Sequence, residues 1–219
     1  MPVKVYATND GWVLNGLDAT FVSARSAGTG NANNTDTRHA SSVNEFFSGR
    51  GGGSWGIYRS FYQFDTSTVT LPPIDAVFRV YGYSGSSADI IAVRSTHSDP
   101  LENDDFDALY GASTALANSD GAGRGKLSAV SGLTYSNSIT TWSTSGYNDI
   151  GLNATARNDM ARFDAFKICI MGYVHDFLDV ENSSIFNSGG YYSEYTGISR
   201  DPFIDYTRSD SSVFFGTNF

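Results

Sequence analysis

Hydrophobic and polar residues alternate most clearly between residues 58 and 83. Two runs rich in aromatic and β-branched residues, Ser60 to Phe64 and Ile74 to Tyr83, lie on either side of a polar segment that contains Pro72-Pro73. Runs of this composition predict β-strands, and a proline pair between them predicts a corner. The stretch is therefore interpreted as strand, corner and strand, and we expect the rest of the chain to be organised around it.

The second of these runs has the period of two that is typical of a strand with one buried face. Ala76, Phe78 and Val80 fall on one side of the pleat. The residues that alternate with them are Val77, Arg79, Tyr81 and Tyr83. Because an apolar sheet face must be covered by another layer, the pattern favours two packed sheets.

Similar signals recur along the whole chain. Further strands are predicted at Val3 to Val22 (two short strands around a turn at Asn9-Asp10-Gly11), Asp89 to Ser95, Lys126 to Val130, Ile139 to Trp142, Gly146 to Leu152, Phe163 to Tyr173, Tyr191 to Tyr195 and Phe203 to Thr207. Asn153 is expected to cap a short helix that ends near Met160, and Asp104 to Leu109 to form one helical turn, whereas Ser113 to Gly125 is predicted to be a loop. Strands about every 10–15 residues predict an all-β fold, an antiparallel β-sandwich with one or two short helices.

We expect one domain with three parts. Residues 1–57 hold the first strands and a long excursion, Ser23 to Gly56, that is rich in small polar residues; residues 58–207 form the core of the sandwich, and residues 208–219 form a tail. An apolar tail is expected to pack on its own domain or on a neighbour, because exposed apolar patches usually mark contacts. The predicted inter-subunit residues are Phe46, Phe47, Phe214, Phe215 and Phe219.

Charge and composition narrow the class of partner. The formal net charge is −9 and the pI is about 4.6, which argues against nucleic acid because phosphate contacts need a basic surface. The start, Met1 to Lys4, has no signal-peptide pattern, and no run approaches the ~18 apolar residues of a membrane span, so we expect synthesis in a cytoplasm and no membrane partner. Cys169 lies in an apolar run, which predicts a buried thiol rather than a nucleophile.

Several segments together carry a family resemblance. They are Arg59 to Asp65, Pro72 to Gly82, Asp105 to Leu109, Tyr147 to Ile150 with Leu152-Asn153, and Tyr192 to Tyr195 before Pro202 to Tyr206. In their order these segments resemble the DNRLRE-type jelly-roll domains, a group of β-sandwich modules related to carbohydrate-binding modules. The resemblance covers roughly residues 58–207 and implies a jelly-roll connection of the strands.

The resemblance also implies a function. Short members without a signal peptide are similar to proteins of tailed-phage particles, so we expect a non-enzymatic structural subunit of a phage-like virion, as a head decoration or a tail or fibre appendage. Its partners would be other virion proteins or copies of itself, with weak adhesion to cell-surface polysaccharide as an added role. The alternative is a carbohydrate-binding module without catalysis, and a polysaccharide lyase or hydrolase is the third interpretation.

Two kinds of candidate site remain. Trp and Tyr rings can stack on sugar faces, and the candidates are Trp12, Trp55, Trp142, Tyr83, Tyr191 and Tyr192; for each, packing in the core is the competing interpretation. Ca²⁺ takes about 6–8 oxygen ligands, and the acidic candidates are Asp99, Glu102, Asp104, Asp105 and Asp107. The competing interpretation there is a solvated loop in which Asp104 or Asp105 caps a helical turn. No other cofactor is expected.

Overall fold

The computed structural model describes residues 2–34, 45–47, 54–84, 89–181, 188–193 and 199–209. Within these residues the strands are β1 (Pro2–Asp18), β2 (Ala32–Asn34), β3 (Glu45–Phe47), β4 (Ser54–Asp65), β5 (Asp75–Ser84), β6 (Ile90–Arg94), β7 (Tyr147–Gly151), β8 (Ala165–Gly172), β9 (Gly189–Gly190) and β10 (Phe203–Thr207). The α-helices are α1 (Phe21–Ser26), α2 (Ser113–Ala117) and α3 (Ala154–Arg162). Shorter helical turns span Asn103–Asp107, Leu127–Ala129 and Tyr173–Phe177.

The strands form two antiparallel sheets that share β1. Their order is β6-β8-β4-β1-β10-β5-β7. The first residues of β1, Pro2 to Tyr6, pair with β10, and the rest of the strand pairs with β4. The first sheet therefore contains the start of β1 with β10, β5 and β7, and the second sheet contains the rest of β1 with β4, β8 and β6. The short strands β2 and β3 pair with β1 and β4 in the second sheet, and β9 pairs with β5. The predicted fold class, an all-β antiparallel sandwich, is confirmed.

The core between the sheets is built from the predicted inward positions. Ala76, Phe78 and Val80 of β5 are buried, and the ring of Phe78 lies 5.0 Å from that of Tyr62 and 5.4 Å from that of Phe64 on β4. Burying an aromatic side chain contributes a few kcal/mol, on the order of 25 cal/mol per Å² of apolar area. The alternation of apolar residues along β5 thus places the first sheet against the second.

The turn predicted near the start of the chain is wrong. The Asn9-Asp10-Gly11 segment is not a turn, because β1 runs through it with an irregular register between Ala7 and Asn9, where the strand leaves β10 for β4. Asp10 is buried and its carboxylate accepts hydrogen bonds from the backbone and side chain of Ser193. The turn-forming sequence Asn9 to Gly11 is therefore regular strand paired with β4, and the irregularity lies just before it, between Ala7 and Asn9.

The predicted strands on either side of Pro72-Pro73 are present as β4 and β5, yet they do not pair with each other. β4 pairs with β1 and β8, whereas β5 pairs with β10 and β7. The corner therefore carries the chain from the second sheet to the first. Strand β8 and the Asn153 cap are confirmed, the latter by a hydrogen bond of 3.0 Å from the Ala156 amide to Asn153 Oδ1.

A third layer covers the outer face of the second sheet. It contains α1, α2 and the turns at Asn103–Asp107 and Tyr173–Phe177, which pack on β-strand residues such as Phe61 and the buried Cys169. The prediction of a polar excursion from Ser23 is therefore wrong for residues 23–34, since α1 and β2 pack back on the domain.

Three further expectations fail between residues 113 and 142. The predicted loop Ser113 to Gly125 contains α2, and the predicted strand Lys126 to Val130 is a helical turn. The predicted strand Ile139 to Trp142 makes a single bridge, between Ile139 and Ile90. Each segment has few large apolar residues, so its own pattern is weak and its contacts with the sheet decide its structure. No helix of the described residues is long and apolar enough to span a membrane.

Candidate binding surface

Aromatic side chains from several strands meet on the outer face of the first sheet. Cross-strand pairing sets Tyr6 beside Phe203 and Tyr81 beside Tyr147, because these positions alternate with the buried ones. Adjacent ring centroids are 5.1–5.8 Å apart. In spatial order the rings are Tyr6, Phe203, Tyr147, Tyr81, Tyr191 and Tyr83, which we call the aromatic strip.

The strip offers ring edges and hydroxyl groups rather than one flat shelf. Neighbouring rings are inclined to each other by 47° to 80°. Tyr6 is 38% and Tyr83 44% exposed, while Phe203 and Tyr191 are buried between their neighbours. The two ends of the strip are thus partly exposed to solvent and its middle is packed.

Cationic side chains lie over the ring faces. Lys4 Nζ is 4.3 Å from the centroid of Phe203, and the Arg200 guanidinium is 4.7 Å from that of Tyr191 and 5.1 Å from that of Tyr81. Such cation–π contacts contribute about 0.5–1 kcal/mol at exposed sites. They also occupy faces on which a sugar ring would have to stack.

An ion pair lies beside the strip on the same face. Arg79 Nε is 3.1 Å from Asp149 Oδ1, and Arg79 Nη1 is 3.5 Å from Asp205 Oδ2. The side chain of Asp149 is 58% exposed, so solvent weakens the pair. Both carboxylates are engaged by one guanidinium, which makes them poor candidates for acid–base catalysis.

Hydrogen bonds to loop carbonyls fix two rings of the strip. The Tyr81 hydroxyl donates to Ser145 O at 2.7 Å, and the Tyr147 hydroxyl donates to Ser199 O at 3.1 Å. Burial, and then the nearby Asp201, raise the pKa of Tyr147, which keeps its hydroxyl a neutral donor. Both rings are therefore oriented before any partner arrives.

A groove of about 520 Å³ adjoins the strip at Tyr147. Its lining residues are Ile139, Thr141, Trp142, Ser143, Tyr147, Asn148 and Asp149. The indole of Trp142 donates to Gly189 O at 3.1 Å, and Asn148 bonds both the amide and the carbonyl of Ser143, at 2.7 and 2.9 Å. The groove thus combines one fixed indole with several hydroxyl, amide and carboxylate groups.

The structure separates the aromatic residues that the sequence grouped as candidates. Tyr83 and Tyr191 belong to the strip and Trp142 to the groove. Trp55 packs edge-on against Phe21 at 5.3 Å in the third layer, and Trp12 packs against Tyr58 at 5.2 Å. Tyr192 is buried in the core with its hydroxyl 2.8 Å from Ser60 Oγ.

Sequence reasoning missed four rings of the strip and its two cations. They are Tyr6, Tyr81, Tyr147, Phe203, Lys4 and Arg200. The outward alternation of Tyr81 with Tyr83 on β5 was an available signal. Tyr6 and Phe203 could not be added to it without knowing that β1 and β10 pair beside β5.

The predicted inter-subunit residues are not placed by the structure. Phe214, Phe215 and Phe219 lie outside the described residues. Phe46 and Phe47 lie in β3, whose backbone pairs with β4, and their side chains are outside the described part. Inter-subunit contact through these five residues stays a prediction.

The predicted calcium residues have separate partners. Asp99 accepts from Asn9 and Gln63, each at 2.9 Å, whereas Asp105 accepts from the Ser98 amide at 2.7 Å and the Glu102 amide at 2.8 Å. Asp104 accepts from Thr29 at 3.0 Å, and Glu102 and Asp107 belong to the same turn. In the part of the chain that the structure describes, no three His, Cys, Asp or Glu side chains converge as a metal site would require.

A buried charge cluster lies between the second sheet and the third layer, and it was not predicted from the sequence. Its members, Arg25, Arg59, Asp176 and Asp179, have fully buried side chains. Arg59 donates two hydrogen bonds of 2.7 Å to the Asp176 carboxylate, and Arg25 Nη1 lies 3.3 Å from Asp179 Oδ1. Burial works against the charge of Arg59, but the pair with Asp176 outweighs it and raises the pKa of Arg59.

The cluster connects five segments of the chain and has the properties of a structural element. Arg59 of β4 also donates to Phe106 O at 2.7 Å, and Arg25 of α1 donates to Gly125 O at 2.8 Å and to Asp176 O at 2.6 Å. Asp179 accepts from Ser119 and from backbone amides that include that of Gly125. With two positive and two negative groups, all buried, the cluster stabilises the third layer rather than binding a ligand.

His97 is a second buried polar group under the third layer. Its Nδ1 lies 2.8 Å from Ser95 Oγ, which itself donates to Ala108 O, so we assign the ring proton to Nδ1. Burial first, and then the charge of Lys167, lower the pKa of His97 to about 3. The imidazole is therefore neutral at physiological pH.

Comparison of the chain with family models and curated proteins found no relative. The chain matches no family model and no curated protein. The resemblance to DNRLRE-type domains thus stays a prediction from the sequence.

Proposed function

We propose that the chain is a non-catalytic structural subunit of a phage-like virion, and that it contacts a second copy of itself through the aromatic strip. The single observation that supports an assembly role is the half-exposed strip itself, with Tyr6 and Tyr83 open at its ends. The family resemblance in the sequence supports the virion setting.

Chemistry of the strip favours a protein partner over a flat sugar surface. Protein interfaces are enriched in Tyr and Arg and poor in unpaired acidic residues at their centres. The strip has five tyrosines, with Arg200 over two of its rings, while Asp149 and Asp205 are paired with Arg79. Sugar stacking needs open, parallel ring faces. Here the rings are tilted by at least 47° and Lys4 and Arg200 cover some of their faces.

Adhesion to a host glycan is a second candidate, and the groove at Trp142 favours it. Saccharide sites combine an aromatic wall with converging polar groups. Trp142 supplies the wall, and Thr141, Ser143 and Asp149 supply hydroxyl and carboxylate groups along the same groove. The groove adjoins the strip, so one subunit could use the strip for assembly and the groove for weak adhesion.

Gel filtration with light scattering on the full chain tests the proposal. We expect wild type to self-associate as its concentration rises. The double variant Tyr6→Ser with Tyr83→Ser should weaken this association by about tenfold or more, because Tyr is enriched among the interface side chains whose truncation costs over ~1 kcal/mol each. Leu17→Ser is the matched control, since Leu17 is 84% exposed and lies far along β1 from Tyr6.

Two results would overturn the interface. One is a wild-type chain that stays monomeric at every concentration, and the other is a strip variant that associates as well as the Leu17 control. Polysaccharide binding in a glycan array that is lost in Trp142→Ala but kept in the strip variant would support the second candidate in its place.

A further inference from the structure

An exposed apolar patch lies in the connection between β4 and β5. Leu71 is 44% and Ile74 64% exposed, on either side of Pro72-Pro73. A shallow pocket beside them is lined by Thr68, Val69, Thr70, Leu71, Tyr206, Arg208 and Ser209. Large aliphatic side chains that are exposed and close together in the chain form a surface that another segment or partner usually covers. We call Leu71 and Ile74 the corner patch.

The chain leaves its last strand directly beside the corner patch. The Ile74 amide donates to Thr207 O at 3.0 Å, and the Thr207 amide donates to Asp75 Oδ1 at 3.1 Å. The Ser209 hydroxyl donates to Pro72 O. These bonds hold the end of β10 and the next two residues against the corner.

The residues that follow are apolar enough to cover the patch. Residues 210–219 lie outside the described part, and their sequence includes Val213, Phe214, Phe215 and Phe219. Val213 is the fourth residue after Ser209, so at roughly 3.3–3.6 Å per residue it can lie at most about 14 Å from Ser209. A tether this short gives the tail a high effective concentration at the corner of its own chain.

We propose that the C-terminal segment Val213 to Phe215 packs on the corner patch of its own chain. The proposal is independent of the aromatic strip, which lies on the outer face of the first sheet. It gives the tail an intramolecular role, which is one of the two alternatives that the sequence left open. The inter-subunit contact would then fall to the strip.

A disulfide-trapping experiment on the full chain tests this packing. The variants Ile74→Cys with Phe214→Cys, and Ile74→Cys with Phe215→Cys, are oxidised mildly at low protein concentration. The native Cys169 is fully buried and does not compete. We expect at least one pair to form an intramolecular disulfide, seen as a faster-migrating monomer on a non-reducing gel. The control pair Leu17→Cys with Phe214→Cys should stay reduced, because Leu17 lies at the end of β1 that is remote from β10.

The outcomes separate the alternatives. Disulfide-linked dimers in place of the monomeric product would mean that the tail covers a second copy, and would overturn the proposal. Trapping that is equal in the Ile74 and Leu17 pairs, or absent from both, would overturn it as well.

Removal of the tail provides a second readout. Deletion of residues 210–219 should raise the fluorescence of a hydrophobic dye by about twofold or more, and Leu71→Ser with Ile74→Ser in the deleted chain should abolish the rise. Self-association through the strip should survive the deletion, so failure of one proposal is distinguishable from failure of the other. A deletion that leaves dye binding unchanged would contradict coverage of the patch.

Discussion

Both outer faces of the sandwich carry Arg–Asp ion pairs, but those of one face are partly exposed and those of the other are buried. On the first sheet, Arg79 pairs with Asp149 and Asp205 in contact with solvent, beside half-exposed tyrosines. On the second sheet, Arg59 pairs with Asp176 beneath a third layer of helices and turns, with no exposure of either side chain. The first face is partly exposed to solvent, whereas the second is covered by other segments of the same chain.

Burial decides how much the loss of one partner of a salt bridge costs in stability. An exposed pair contributes about 0–1 kcal/mol, because water screens it and competes for it. A buried pair is costly to break, because removal of one partner leaves a charge without solvent or counter-ion. Three tests, from the largest expected effect to the smallest, ask whether the two faces differ in this way.

Asp176→Ala should give the largest loss of stability. It removes the carboxylate that both Arg59 and Arg25 contact, and we expect the free energy of unfolding to fall by about 3–5 kcal/mol. Asp149→Ala on the open face is the control, with an expected loss of at most about 1 kcal/mol. Urea denaturation measures both. Equal losses in the two variants would show that the buried cluster is not a distinct structural element.

Gly82→Ala should disturb the wall between the strip and the groove. A Cβ at Gly82 would lie 1.7 Å from Ser143 O, so the segment that carries Trp142 would have to move. We expect a loss of about 1–3 kcal/mol, typical of overpacking. Gly151→Ala is the matched control on neighbouring β7, where a Cβ meets nothing within 4 Å. Thermal unfolding that ranks Gly151→Ala as the more damaging change would contradict this packing.

The buried His97 beneath the third layer should make the stability of the fold depend on pH. Its pKa is about 3 in the folded chain against 6.5 for the free group, so between these values the unfolded state binds a proton that the folded state excludes. The free energy of unfolding should therefore fall as pH drops from 6.5 towards 3, by up to about 1.4 kcal/mol per pH unit. The groups that face His97 electrostatically are Lys167, Asp105 and Asp99.

The measurement compares wild type with His97→Asn by urea denaturation from pH 4 to pH 7. Asn keeps a donor for Ser95 but does not titrate, so the difference between the two stability curves should grow with pH over this range. Parallel curves would mean that His97 accepts a proton in the folded state, and that its surroundings are not as closed as the packing indicates.

Residues whose signals are local were predictable, and residues brought together by pairing were not. Asn153 predicts the start of a helix because a capping side chain acts on amides within one turn of it. Arg25 gave no sign of Asp176, since 151 residues separate them along the chain. Tyr83 and Tyr191 were recognised singly, but their neighbours on the strip come from β1, β7 and β10, and no sequence period encodes which strands are adjacent.

By itself the sequence determined the period-two strands, the apolar side of β5, and hence a sandwich, because alternation and burial act residue by residue along a strand. The tertiary structure decided that β1 passes through both sheets and that β4 and β5 lie in different ones. It also decided that weakly patterned segments such as α1 form a third layer. These outcomes depend on contacts between distant segments, whose energies appear only when the chain has folded.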